Sequence, residues 1–351
     1  MAYEIKREPE DFIVEEITPD KKVLEIGKAY KFKESEGDQL ICVLQKKRWD
    51  TNLAISEIAH RLFVSRKRIG FAGTKDKRAI TTQRISLWKI KNADKLRIKD
   101  MVLTPLEYSD KRIELGDLWG NRFTIKVYTK KRLKKLAKVP NFFGVQRFGD
   151  TRPITHLVGK EIVRGSFEDA VKMYLTRVFP RESKEAKAAR KKLAKKWDYA
   201  DALKYFPYGL RFERTLLGHL VNNENDYIGA LRKLPKFLKI MFVHAYQSYI
   251  FNEFLKEVIS KKAKYSKGQL FGYESKIDNE IEKKILKKER IEPKDFFIRS
   301  MPEMSSKGEK RELYISLKDF KVLEKGSGYY TVRFSLPKGC YATTVIEQLF
   351  T

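Results

Sequence analysis

The segment Gly73-Thr74-Lys75-Asp76-Lys77-Arg78-Ala79-Ile80-Thr81-Thr82-Gln83 sets one acid inside a glycine-led, cationic turn. A carboxylate among Lys75, Lys77 and Arg78 is expected to stay negatively charged at neutral pH. Such a group can act as a nucleophile without a partner base, and the same cations suit a polyanionic substrate. The structural alternative is a turn cap, since Asp commonly bonds the backbone amides that follow it. The local residues leave both readings open. Asp76 is singled out by elimination: the chain has no P-loop, no GxGxxG fingerprint and no HExxH helix. His60, His156, His219 and His244 are scattered without ligand spacing, and Cys42 and Cys340 lie in unremarkable surroundings.

A second segment, Val139-Pro140-Asn141-Phe142-Phe143-Gly144-Val145-Gln146-Arg147-Phe148-Gly149, gathers aromatics, amides, glycines and a cation without periodicity. Aromatic rings stack on unpaired bases, at about 1–3 kcal/mol each, and Asn or Gln can read a base edge. The alternative is a buried aromatic turn that closes a domain. Together the two segments combine a fixed anion, a stacking surface, hydrogen-bonding amides and many cations.

Composition narrows the partner. The chain has 351 residues, 75 Lys+Arg against 46 Asp+Glu, and a formal net charge of +29. That excess points to a polyanion, with nucleic acid ahead of a membrane surface, since no long basic amphipathic helix with a continuous apolar face stands out. No apolar run approaches the roughly 18 residues of a membrane span, and Met1 to Glu10 is charged throughout, unlike a signal peptide. Two cysteines make neither a disulfide framework nor a cysteine metal site. The expectation is a cytoplasmic protein, a monomer, using no metal and no cofactor. At 42% hydrophobic there is ample material for a core, and the length suits two domains or one carrying a large insertion.

The elements that must position these groups follow from periodicity. Residues 3–18 alternate loosely and contain Asp11 to Glu16, which reads as a strand; Gln39 to Leu44 is a second short apolar run, and Thr51 the N-cap of a helix reaching about Phe63. Arg68 to Ala72 enters the Gly73 turn as a strand and Gln83 to Trp88 leaves it. Arg122 to Val127 alternates cleanly. Beyond about residue 152 the texture turns helical, with Glu182 to Trp197, Leu238 to Ile259 and Lys276 to Lys288. The first of these, rich in Lys, Arg and Ala, is either a solvated face or an RNA contact. Strand texture returns from Glu312, with Tyr330 to Ser335 alternating. This order predicts an α+β fold whose mixed, largely antiparallel sheet is interrupted by a helix-rich insertion.

Both chemical segments resemble those of the TruD family of transfer-RNA pseudouridine synthases. The family's Gly, Lys-Asp pair and Ala-x-Thr-x-Gln tail match Gly73, Lys75-Asp76 and Ala79 to Gln83. Its Asn-aromatic-Phe-Gly-x-Gln-Arg-Phe-Gly element matches Asn141 to Gly149. Lys6 with Pro9 to Phe12 resembles the family's N-terminal strand. Leu115-Gly116 with Gly120-Asn121-x-Phe123 resembles its central one, and Leu336-Pro337-x-Gly339-x-x-Ala342-Thr343 its C-terminal one. Ser248-x-x-Phe251-Asn252 matches more loosely.

The resemblance implies a pseudouridine synthase catalytic domain over 1–153 and 309–351, with an inserted domain of the family's own type over 154–308. It implies an isomerase acting on a uridine of tRNA, usually position 13 in the D-arm, without metal or cofactor. Asp76 falls on the catalytic aspartate, and attack at C6, attack at C1′ and removal of the C2′ proton all remain open to it. Lys6 is expected to pair with Asp76, and Phe143 to stack on the target base. Asn141 orders its loop or meets the substrate, and Phe12 packs or contacts it. Lys75, Gln146 and Arg147 complete the expected shell. The rival function is an RNA-binding or RNA-chaperoning protein whose Asp76 loop is only structural. An RNA methyltransferase would need a Gly-rich strand-to-helix turn that is not present.

Overall fold

A computed structural model describes residues 3–93, 96–134 and 136–350. The chain divides into two compact units, 1–139 with 315–351, and 140–314. The second unit is therefore inserted in sequence within the first. The division falls after Val139 and before Ile315, where the expectation put it after residues 153 and 308.

The first unit contains β1 (Phe12–Ile17), β2 (Gln39–Lys47), α1 (Thr51–Arg61), β3 (Ile69–Phe71), β4 (Ile80–Trp88), β5 (Met101–Ser109), β6 (Gly120–Tyr128) and β7 (Lys138–Pro140). In the second lie α2 (Thr155–Val163), α3 (Phe167–Thr176), α4 (Lys184–Lys196), α5 (Tyr199–Tyr205), α6 (Arg211–Asn222) and α7 (Tyr227–Arg232). It continues with α8 (Lys236–Ser260), β8 (Lys267–Leu270), α9 (Glu280–Glu289) and β9 (Glu309–Glu312). The chain returns through β10 (Tyr314–Ser316), which pairs with β7, and finishes the first unit with β11 (Lys318–Gly326), β12 (Tyr329–Pro337) and α10 (Ala342–Leu349).

The main sheet is eight-stranded, in the order β11-β12-β6-β1-β4-β2-β5, with β3 also paired to β4. The β1–β4 pairing is parallel, and the β1–β6, β2–β4, β2–β5, β3–β4, β6–β12 and β11–β12 pairings are antiparallel. The expected mixed, largely antiparallel α+β sheet is present. β1 runs beside residues 80–82 at the start of β4, while β3 pairs with residues 85–87 further along. The loop from Ala72 to Ala79 thus crosses at the point where β1 begins.

Alternation explains the core. Phe12 and Val14, Phe123, Ile125 and Val127, and Val332, Phe334 and Leu336 form one apolar cluster with Val345, Ile346 and Leu349 of α10. Leu40, Cys42 and Leu44 form another with Ile85, Leu87 and Ala54, Ile55 and Ile58 of α1. In the second unit α8 is buried along its length, including Phe242, Tyr246, Phe251 and Phe254.

Two details differ from the expectations. Asp50, not Thr51, caps α1, its carboxylate accepting from Asn52 N at 2.8 Å and Leu53 N at 3.2 Å. The C-terminal motif is only half strand: β12 ends at Pro337 and Ala342 opens α10. The basic helix α4 is capped by Ser183 and buries Ala186, Ala189, Arg190 and Leu193. Arg190 is an internal tie, bonded to Glu182 and Glu213 at 2.7 Å each.

Candidate active site

Asp76 lies in the loop between β3 and β4, and its position is set from several sides. Gln83 Nε2 donates to Gly73 O at 3.0 Å, and Lys75 N donates to Thr51 Oγ1 at 2.9 Å. Lys46 Nζ donates to Asp76 O at 3.2 Å, and Arg48 N to Ala79 O at 3.2 Å. The first residue of α1, the start of β4 and the end of β2 therefore converge on one short loop. The Asp76 side chain is partly exposed, at 19%. One carboxylate oxygen accepts from Arg78 N at 3.0 Å, the turn bond that the structural alternative required. Its other oxygen accepts from Lys6 Nζ. The turn cap and the charged partner coexist.

Lys6 reaches Asp76 from an unusual backbone conformation, φ 61°, in a left-handed region that non-glycine residues seldom occupy. The flanking chain holds it there. Glu4 and Tyr128 exchange backbone bonds of 2.9 Å, and the Arg7 guanidinium lies 3.8 Å from the Tyr128 ring centroid. Glu8 and Asp11 close a capping box. Phe12 is 3% exposed, edge-on to Phe123, and its ring carries Lys6 Nζ 4.1 Å from the centroid. Phe12 thus packs in the core and steadies the lysine that steadies Asp76.

Lys75 departs from the idea of a cationic wall around Asp76. Its ammonium is buried and bonded to Glu16 Oε2 at 2.8 Å, while the other Glu16 oxygen accepts from Arg84 N at 3.1 Å. The ammonium groups bonded to Asp76 are those of Lys6, at the carboxylate, and Lys46, at its main chain. Sequence reading missed Lys46 and Glu16, and named Thr51 and Gln83 without these contacts. The one available signal was a lysine in step with Leu40, Cys42 and Leu44 on a buried strand face.

Beside the loop a cleft of about 300 Å³ is lined by Lys6, Arg7, Glu8, Pro9, Arg48, Lys77 and Arg78. Glu8 is paired to Arg48 at 2.7 Å. The lining is strongly cationic, and it abuts the lysine that holds Asp76.

The remaining expected residues lie in the second unit. Asn141 is buried and bonded at both ends of its amide: Nδ2 donates to Glu312 O at 2.8 Å, and Oδ1 accepts from Arg311 Nη2 at 2.6 Å. It orders the loop. The Phe143 backbone is clamped by Asn252, whose amide accepts from Phe143 N at 2.9 Å and donates to Phe143 O at 3.0 Å. The Phe143 ring is edge-on to Phe251, with Arg311 4.1 Å and Arg147 5.6 Å from its centroid. Gln146 is exposed on a short 3-10 turn over Val145–Arg147. Arg147 Nε donates to Ser248 Oγ at 3.0 Å, and the guanidinium borders a second cavity of about 270 Å³ with His244 and Lys307. Burial, then Arg147, draws His244 below the ordinary histidine range. The loosely matched Ser248, Phe251 and Asn252 are thus the residues that brace the second loop. Among the described residues no group of His, Cys, Asp and Glu has the arrangement to hold a metal ion, and no helix is long and apolar enough to cross a membrane.

The family model for tRNA pseudouridine synthase D (TruD) matches residues 1–269 and 259–349. A probable tRNA pseudouridine synthase D of Methanosarcina acetivorans is 38% identical, over 98% of this chain and 91% of the relative. A similar protein of Methanocaldococcus jannaschii, probable tRNA pseudouridine synthase D 1, is also 38% identical, over 98% and 94%. The crystal structure of a putative tRNA pseudouridine synthase D from Methanosarcina mazei superposes with a TM-score of 0.76 at 36% identity, covering 99% of this chain and 93% of that one. The chain belongs to the tRNA pseudouridine synthase D family and is an enzyme of the isomerase class.

Proposed function

We propose that the chain converts uridine 13 in the D-arm of cytoplasmic tRNA to pseudouridine, with the Asp76 carboxylate as the group that acts on the flipped-out nucleotide. The observation that carries this reading is the ion pair of Asp76 with Lys6 beside the cationic cleft of about 300 Å³. A fixed, partly exposed carboxylate next to a phosphate-binding surface is what reaction on an RNA nucleotide needs. The reaction breaks the N1–C1′ bond, joins C5 to C1′, gives up the C5 proton and adds a proton to N1, so substrate and product have the same composition. Asp76 can enter by adding to C6, attacking C1′ or removing the C2′ proton.

Lys6 holds the carboxylate in place, and Phe12 supports Lys6. Arg7, Arg48, Lys77 and Arg78 meet phosphates at the cleft. Lys75 and Asn141 each fix their own loop. Within the second unit Phe143, buried at 8% exposure and braced by Phe251, Asn252 and Arg311, is the ring assigned to base stacking, with Gln146 and Arg147 as further RNA contacts. Extruding the uridine costs a few kcal/mol, and stacking returns about 1–3 kcal/mol. The catalytic domain is the sheet unit, and the helical unit is the family's inserted domain.

Unmodified tRNA treated with the pure protein and mapped for pseudouridine tests the substrate. The expected result is modification at position 13. Modification elsewhere only would move the target, and RNA binding with no pseudouridine at any position would replace the enzyme with an RNA-binding protein.

A further inference from the structure

We propose that Lys46 is a positioning residue for Asp76, anchoring the main chain of the reactive residue through an ammonium buried beneath the loop. The inference rests on Asp76 being the reactive group. Lys46 shares the face of β2 that carries Leu40, Cys42 and Leu44, which pack against Ala54, Ile55 and Ile58 of α1. An apolar residue would continue that pattern. Lys46 is instead a fully buried lysine, at 0% exposure. Its Nζ donates to Trp49 O at 2.6 Å and to Asp76 O at 3.2 Å. A buried ammonium is tolerated only where it is bonded, and here one of its two bonds ends on the carbonyl of Asp76 itself. At 0% exposure the side chain cannot touch RNA, so any effect on turnover must pass through the loop.

The charged groups that act on Lys46 are Asp50, from the cap of α1, and Asp76 and Lys75, from the loop. Its partners across the sheet, Thr81 on β4 and Met101 on β5, are uncharged. Burial is the largest influence and draws Lys46 down to about 8; Asp50 and Asp76 oppose the fall and Lys75 adds to it. Because the folded value lies below the ordinary one, the unfolded chain holds this proton at alkaline pH when the folded chain has released it. Lys46 therefore makes the fold relatively more stable as pH rises past about 8. Loss of the charge weakens the bond to Asp76 O over the same range, so turnover falls. Opposite trends in stability and turnover separate positioning from simple support of the fold.

The test compares wild type, Lys46→Met and Lys46→Arg at saturating tRNA from neutral to alkaline pH, with tRNA affinity and unfolding measured in parallel. Lys46→Met should lower kcat by on the order of 10²-fold, the scale of a small misplacement of a reacting group, with tRNA affinity unchanged. Wild-type kcat should fall above about pH 8. Lys46→Arg, which stays charged, should keep part of the turnover and lose that alkaline fall. Wild-type turnover in Lys46→Met, or the same alkaline fall in Lys46→Arg, would overturn the proposal. If both variants fail to fold, wild type decides: flat kcat through pH 8 in folded protein overturns it, and a fall supports it. Turnover surviving in Asp76→Asn would remove the underlying reading of Asp76. An inactive Asp76→Asn beside a fully active Lys46→Met would remove this inference alone.

Discussion

At the scale of single residues, the site is built by pairing buried or half-buried charges so that one carboxylate keeps a defined place. Lys6 takes the carboxylate of Asp76, and Glu16 takes Lys75, the residue just before it. The second pair is almost fully enclosed, at 4% and 0% side-chain exposure. Replacing Glu16 with Gln would strand the Lys75 ammonium in the sheet. Removal of one partner of a buried pair costs about 3–5 kcal/mol, so Glu16→Gln should unfold at clearly lower urea than wild type. An unchanged midpoint would mean that Lys75 finds another acceptor. Asp76, the acid proposed to react, was legible as unusual because its neighbours are local: Gly73, Lys75, Lys77 and Arg78 adjoin it in the chain. Lys46 and Glu16 were not, because Asp76 and Lys75 of the loop, and the Arg84 amide of β4, reach them only in the fold.

Among the elements, backbone approach decides the tolerances. Gly159 lies on α2 where it meets α8, and a Cβ there would stand 2.0 Å from the carbonyl oxygen of Phe242. That atom is backbone and cannot swing aside. Gly218 lies on α6 with nothing within 4 Å of the same position. Gly159→Ala should therefore destabilise by about 1–3 kcal/mol, whereas Gly218→Ala should stabilise by about 0.5–1 kcal/mol through helix propensity. Thermal unfolding of the two variants reads the sign directly; equal shifts would contradict the packing. Strands β2, β4, β6 and β12 were legible because each alternates or carries a continuous apolar face. Helix α10 was missed because its Ala342-Thr343 start continued a strand motif, and Thr51 was taken for a cap that Asp50 supplies. The role of Thr51 is to hold the Lys75 amide, a contact with a residue far along the chain.

For the whole molecule, a net charge of +29 and an isomerisation on RNA belong together. Phosphate contacts provide affinity that weakens steeply with salt, while the proposed chemistry falls to one anion held by a lysine. Binding and turnover should consequently separate when that anion is neutralised. The most direct measurement is tritium release from tRNA carrying C5-tritiated uridine, with wild type and Asp76→Asn compared at matched protein and salt, and tRNA affinity measured alongside. Loss of release to background, with affinity within a few-fold of wild type, is the predicted result. Substantial release by Asp76→Asn would contradict the assignment of the chemistry to Asp76.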